Sequence, residues 1–202
     1  MNHITFWGDH GYTGGYILCV QASRDLELSF GRFRDGRPVA VPAGVYAYVG
    51  SAMGRRGATA LAGRLLRHAT RSAGKPPHAI RAALAAALAA AMPETEPPAP
   101  PSSKRLHWHI DYLLDELDVA IAAVTVVGAA ERVESRLARE LAAVPGVVPL
   151  LPGLGASDAP GETHLLRLPD DALAGRPLVN SILWGRQMER LVVRRDTGSS
   201  LP

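Results

Sequence analysis

Runs of apolar residues separated by glycine, proline and charge set the architecture before any single residue does. Tyr16–Val20 is a β-rich apolar run entered from Gly14 and Gly15. Leu26–Phe30 alternates apolar and polar, as a half-buried strand does. Val45–Val49 is a third strand, set off by Pro42, Gly44 and Gly50. Over 58–71 the period lengthens: Leu61, Leu65 and Ala69 recur every fourth residue, which predicts an amphipathic helix. Val119–Val127 is unbroken Val, Ile, Ala and Thr, the pattern of a central strand covered on both faces. Val133, Leu137 and Leu141 predict a second helix over 130–143, stopped by Pro145-Gly146. His164–Leu168 is a last strand, and 178–193 match no single period. The order β-β-β-α-insert-β-α-β predicts an α/β (α+β) domain with a small mixed sheet flanked by helices. Strands 16–20 and 26–30 are expected to form a hairpin.

The insert is 74–103. Nine of the fourteen residues over 79–92 are alanine, and five of the nine over 93–101 are proline. Such a sequence favours a short helix with little to pack on, followed by an extended Pro-rich strap. The simplest reading is an inert surface excursion, and the alternative is a Pro-rich ligand for a protein partner. Residues 1–195 then form one domain carrying this insertion, and 196–202 a flexible tail.

Composition narrows the classes. The chain has 202 residues and one cysteine, Cys19, so neither an internal disulfide nor a Cys-rich zinc site is available. No long uncharged apolar run predicts a membrane span, and no export leader is visible, so a cytoplasmic setting is expected. Net charge is only 22 − 19 = +3, but it is unevenly placed. Gly54–Lys75 holds Arg55, Arg56, Arg64, Arg67, Arg71 and Lys75 with no acid, while Asp111, Asp115, Glu116 and Asp118 lie together further on. On a helix, Arg64, Arg67, His68 and Arg71 would share one face. Such a face suits a phosphate backbone, because Lys and Arg displace its condensed counterions.

Three further stretches carry chemistry. Tyr48–Gly54 leaves a strand through a Gly-rich loop, where backbone N–H groups can approach an anion, although it matches neither a dinucleotide fingerprint nor a P-loop. His107-Trp108-His109-Ile110-Asp111-Tyr112 is dense in side chains that bind protons, metals or bases; His107 and Asp111 would share a face in a helix, and His107, His109 and Asp111 in a strand. Asp158 and His164 flank a turn and read either as a functional pair or as a cap and a strand-end histidine.

Gly14-Gly15-Tyr16, Tyr48-Val49-Gly50-Ser51-Ala52, Arg64–His68, Trp108–Leu113 and Gly153–Leu165 together resemble the DUF123 branch of the GIY-YIG nuclease superfamily. The resemblance implies a GIY-YIG-like fold and metal-dependent phosphodiester hydrolysis of DNA, less readily RNA, with Mg²⁺ or Mn²⁺. Tyr16 and Tyr48 match the two motif tyrosines, Arg64 the helix arginine, and Glu134 the metal-binding glutamate, with Glu131 as fallback. His68, one turn after Arg64, would serve as base or leaving-group acid. Arg55, Arg56, Arg67, Arg71, Lys75, Trp108 and His109 would contact the nucleic acid. The first motif reads Gly-Gly-Tyr rather than Gly-Ile-Tyr, and the tyrosines lie 48 − 16 = 32 residues apart, a long spacing for the superfamily. The branch's two closing-motif cysteines are Ala159 and Gly161 here.

Three functions follow: a metal-dependent nuclease, a catalytically silent nucleic-acid-binding module on the same fold, or another enzyme or ligand-binding protein using Trp108, His109, Asp111, Asp158 and His164. The nuclease reading requires Tyr16, Tyr48, Arg64 and Glu134 to converge on one cleft.

Overall fold

A computed structural model describes residues 3–8, 11, 13–92, 98–156 and 161–169. The expected strand at Tyr16–Val20 is the middle of a longer one, β2 (Gly14–Ala22), and it sits inside the main sheet. With β1 (His3–Trp7), β5 (Gly44–Ala52), β6 (Val119–Gly128), β7 (Val148–Pro149) and β8 (Leu165–Arg167) it forms six strands in the order β1-β6-β2-β5-β8-β7. The β1–β6 pair is parallel and the other pairs are antiparallel, so the sheet is mixed. The expected hairpin does not form. Leu26–Leu28 (β3) leaves the sheet and pairs with Val39–Val41 (β4) as a separate ribbon, and β5 takes the place beside β2. Strand β5 offers nine residues in register with β2, whereas β3 is three residues long. Strand β1 has no counterpart among the expected elements.

Because side chains alternate across a strand, β2 supplies two layers. Tyr16, Leu18 and Val20 point to one face, and Ile17 and Cys19 to the other. Three helices cover the first face: α1 (Leu61–His68), α2 (Arg81–Ala91) and α3 (His109–Leu114). One helix, α4 (Glu134–Ala142), covers the second through Leu137, Ala138 and Leu141.

The alanine-rich segment is not a surface excursion. Ile80, Leu84, Leu88 and Met92 recur every fourth residue, are buried, and belong to the first core layer. Ala82, Ala83, Ala86, Ala89 and Ala90 form the outer face of α2, and the four large residues form a stripe that seats it against α1 and β1. The strap that follows is tied down as well: the Pro101 carbonyl accepts from Thr70 Oγ1 at 3.4 Å and Arg81 Nη1 at 3.2 Å. The tail and 178–193 lie outside the described residues. Among those described, no helix is long and apolar enough to cross a membrane.

Candidate functional site

Strands β2 and β5 pair with Tyr16 opposite Gly50 and Leu18 opposite Tyr48. Gly50 lies where only a glycine fits, because a Cβ there would stand 2.5 Å from the Tyr16 hydroxyl. The tyrosine ring therefore lies across β5 and reaches α1. Its hydroxyl is 2.8 Å from His68 Nε2, both residues being fully buried. Tyr48 completes an aromatic group, its ring centroid 6.2 Å from that of Tyr16 and 6.0 Å from that of His68. The Trp108 indole meets His68 edge-on at 5.9 Å.

Asp111, which the sequence left open as a strand or helix residue, is the hub behind this group. It lies in the first turn of α3 with no exposed surface. Arg67 donates Nη1 to Oδ1 and Nη2 to Oδ2, each at 2.9 Å, the fork geometry of a strong charged pair. The backbone N–H groups of His107 and Trp108 both donate to Oδ2 at 3.0 Å. His68 Nδ1 and Lys104 Nζ each lie 3.5 Å from Oδ1. Both of these nitrogens are buried with no partner inside hydrogen-bonding geometry.

The electrostatics follow from burial and this ring of donors. Burial alone would raise the Asp111 carboxyl, but the His68 Nδ1 beside it, the Arg67 fork and the nearby Lys104 charge hold it well below the usual carboxylate range. Burial lowers His68 to about 4, so its imidazole is neutral at pH 7, with Nδ1–H toward Asp111 and Nε2 accepting from Tyr16. Burial also pushes the Tyr16 phenol up, against the opposing influence of Arg64 and Tyr48, and lowers Lys104 to about 8.

Arg64 sits at the edge of the group. It donates Nε to the Ala58 carbonyl at 2.6 Å and Nη1 to that of Ser51 at 3.3 Å. Its guanidinium lies 3.9 Å from the Trp108 ring centroid, and that of Arg67 lies 4.4 Å away. Beside this stack is a cavity of about 660 Å³ between α1 and the strap. Among the described residues its walls include Arg67, Lys104, Arg105, His107 and Trp108 and no carboxylate, the Asp111 partner of Arg67 and Lys104 lying buried behind them.

Tyr16, Tyr48, Arg64 and His68 thus come together as the motifs imply, with Arg67 and Trp108 beside them. Arg55 and Arg56 are exposed on the preceding loop. Other members of the expected basic face turn inward. Helix α1 ends at His68, and Arg71 beyond it is buried, donating to the carbonyls of Pro76 and Val119, each at 2.6 Å. Lys75 pairs with Asp115 at 2.6 Å. His109 accepts from the Gly155 N–H at 3.2 Å and packs on Phe33, away from the cluster. Asp158 lies outside the described residues, and His164 pairs with Glu162 at 2.8 Å.

Glu134 does not join the tyrosines. It opens α4 on the second face of the sheet, with Oε1 on Arg132 at 2.9 Å and Oε2 buried without a partner. Glu131 is exposed before the same helix. Asp111 cannot replace Glu134, since its oxygens are taken by Arg67 and two backbone N–H groups. Among the described residues, no three His, Cys, Asp or Glu are grouped to hold a metal. Among the described residues, those around Tyr16 offer no uncommitted carboxylate for Mg²⁺ or Mn²⁺.

These features define a mixed α/β fold with Tyr16, His68 and Asp111 buried in a line on one sheet face, beside a cavity edged by Arg67, Arg105 and Trp108. The chain belongs to the DUF123 family, described as a domain of unknown function, whose family model matches residues 15–181. No curated protein and no solved structure matches it.

Proposed function

We propose that the chain is a nucleic-acid-binding module on a GIY-YIG-like fold, DNA being its first ligand, bound through the face formed by the Arg55–Arg56 loop, Arg64, Arg67 and the cavity. The observation that carries this reading is a cavity walled by Trp108 and Arg67, with Arg105 exposed at its rim and Arg55 and Arg56 exposed on the adjoining loop. Cations gathered around an indole suit phosphates next to flat bases. The position of Glu134 across the sheet favours binding over the superfamily's metal-assisted cleavage.

A second reading, cleavage of the bound phosphodiester, has its own support in the 2.8 Å contact between Tyr16 and His68. His68 Nε2 accepts from the phenol and orients it, and Arg64 stands near to offset charge on the phenol oxygen.

One assay separates the readings. Plasmid, branched and single-stranded DNA are incubated with the protein in Mg²⁺ or Mn²⁺, and binding and nicking are measured for the wild type, Tyr16→Phe and Glu134→Ala. The expected result is binding by all three proteins and nicking by none. Nicking lost in Tyr16→Phe supports the second reading, and nicking lost in Glu134→Ala restores the metal-dependent one.

A further inference from the structure

Helix α1 and the strap at 98–105 enclose the face of the molecule where the insert contributes to the cation cluster. The cavity's strap side is Pro98, Ala99 and Pro101, its helix side Leu66 and Gly63, and its end wall Trp108 with the Arg67 guanidinium stacked on it. Gly63 keeps the helix side close, since a Cβ there would stand 2.0 Å from the Gly57 carbonyl oxygen. Arg105 and His107 are exposed at the rim. The volume, about 660 Å³, falls within the usual 300–1,000 Å³ for a small-ligand site.

This shape has apolar side walls, a flat aromatic and guanidinium end, and the Arg105 guanidinium and the His107 imidazole at the mouth. It complements a planar heterocycle carrying a phosphate. Bases inside a duplex are stacked and paired and cannot enter a recess, whereas an unstacked base can. The recess is also continuous with a path for the rest of a strand: Gly57 and Ala58 line it, and they directly follow the exposed Arg55 and Arg56. A free nucleotide would make no use of that path.

Building on the nucleic-acid reading above, we infer that this cavity seats one unpaired nucleotide of a single strand, its base against Trp108 and Arg67, its phosphate at Arg105 and His107, and its neighbouring phosphates at Arg55 and Arg56. The domain is therefore selective for single-stranded or frayed ends over blunt duplex, and the insert is part of the binding surface.

The test is fluorescence anisotropy with a short labelled oligothymidylate and a blunt duplex of equal length, with thymidine monophosphate as competitor. The proteins are wild type, Ala99→Trp, which fills the cavity from its exposed strap side, and Arg105→Ala, which removes a rim cation while keeping the backbone. The expected preference of the wild type for the single strand is about tenfold, the worth of one stacked base. Ala99→Trp is expected to lose most of that preference while holding duplex affinity within about twofold, Arg105→Ala to weaken both forms but the single strand more, and the monophosphate to compete only weakly. Equal binding of both DNA forms, or variants that weaken both alike, overturns the nucleotide seat but leaves the nucleic-acid reading standing. A monophosphate competing as well as the oligonucleotide overturns the strand path. Binding of neither DNA form removes the seat and the reading together.

Discussion

The Tyr16 hydroxyl lies 2.8 Å from His68 Nε2, in a core where neither residue touches solvent. The histidine is held neutral there, its affinity for a proton lowered by burial to about pH 4. His78, accepting from the Ile121 N–H and packed against Arg71, is lowered by burial to about 3. An unfolded chain takes up protons on both histidines near pH 6.5. Between roughly pH 6.5 and 4 the unfolded state therefore binds more protons than the folded one, and stability falls as pH falls. Asp111, held low, loses its contribution only in more acid solution. Denaturant unfolding at pH 7 and pH 4.5 should show the decline, and His68→Gln should reduce its slope. An unchanged slope in that variant would mean that His68 is not the buried neutral group described.

Gly50 and Tyr16 make a second, steric test. In Gly50→Ala the new Cβ meets the tyrosine ring and hydroxyl at 2.5 Å, and the ring has sheet and helix on its other sides. Overpacking of this kind costs about 1–3 kcal/mol. A fall in unfolding free energy of that size is expected, and Gly50→Ala/Tyr16→Phe should recover only part of it, since the ring remains. Full stability in Gly50→Ala would place the ring elsewhere.

Asp111 balances Arg67 and Lys104 in a buried setting. Removing the charge in Asp111→Asn leaves those cations uncompensated, for which about 3–5 kcal/mol is typical. Lys104→Met in that background should restore part of the loss, because it removes one uncompensated charge. Chemical denaturation of the two variants checks both signs, and an additive loss in the double variant would separate Lys104 from Asp111.

Much of this is legible in the chain. The long strands β2, β5 and β6 and the helices α1 and α4 announce themselves by period, and the motif tyrosines, Arg64 and His68 do converge. The misses have physical causes. β3 reads as a partner of β2 by proximity, but register length decides pairing, and β5 offers more. The alanine run reads as unpacked because alanine sets its composition, while the four residues that seat it, Ile80, Leu84, Leu88 and Met92, are outnumbered. Lys104 carries no signal at all, since a lysine after a Pro-rich stretch reads as solvated. Glu134 matches by local pattern only, and a pattern on a helix does not say which face of a sheet the helix will cover.

The α2 stripe gives the plainest mutational contrast. Leu84→Ala empties a fully buried position and is expected to cost about 2–5 kcal/mol. Ala90→Gln, on the exposed face of the same helix, should change stability by less than about 0.5 kcal/mol. Equal, small effects at both positions would return the segment to the surface.

Salt dependence of DNA binding tests the central claim most directly. Neutralising phosphates releases counterions, so affinity should fall steeply with salt. Replacing Arg55 and Arg56 by alanine should lower the slope of log K against log salt by about 0.9 for each duplex phosphate that is no longer neutralised. A titration of the wild type and Arg55→Ala/Arg56→Ala on the same duplex across a range of salt concentrations measures this. The expected result is a steep slope in the wild type and a shallower one in the variant. Binding that ignores salt, or a slope unchanged by the double substitution, would contradict a phosphate-binding face at this loop.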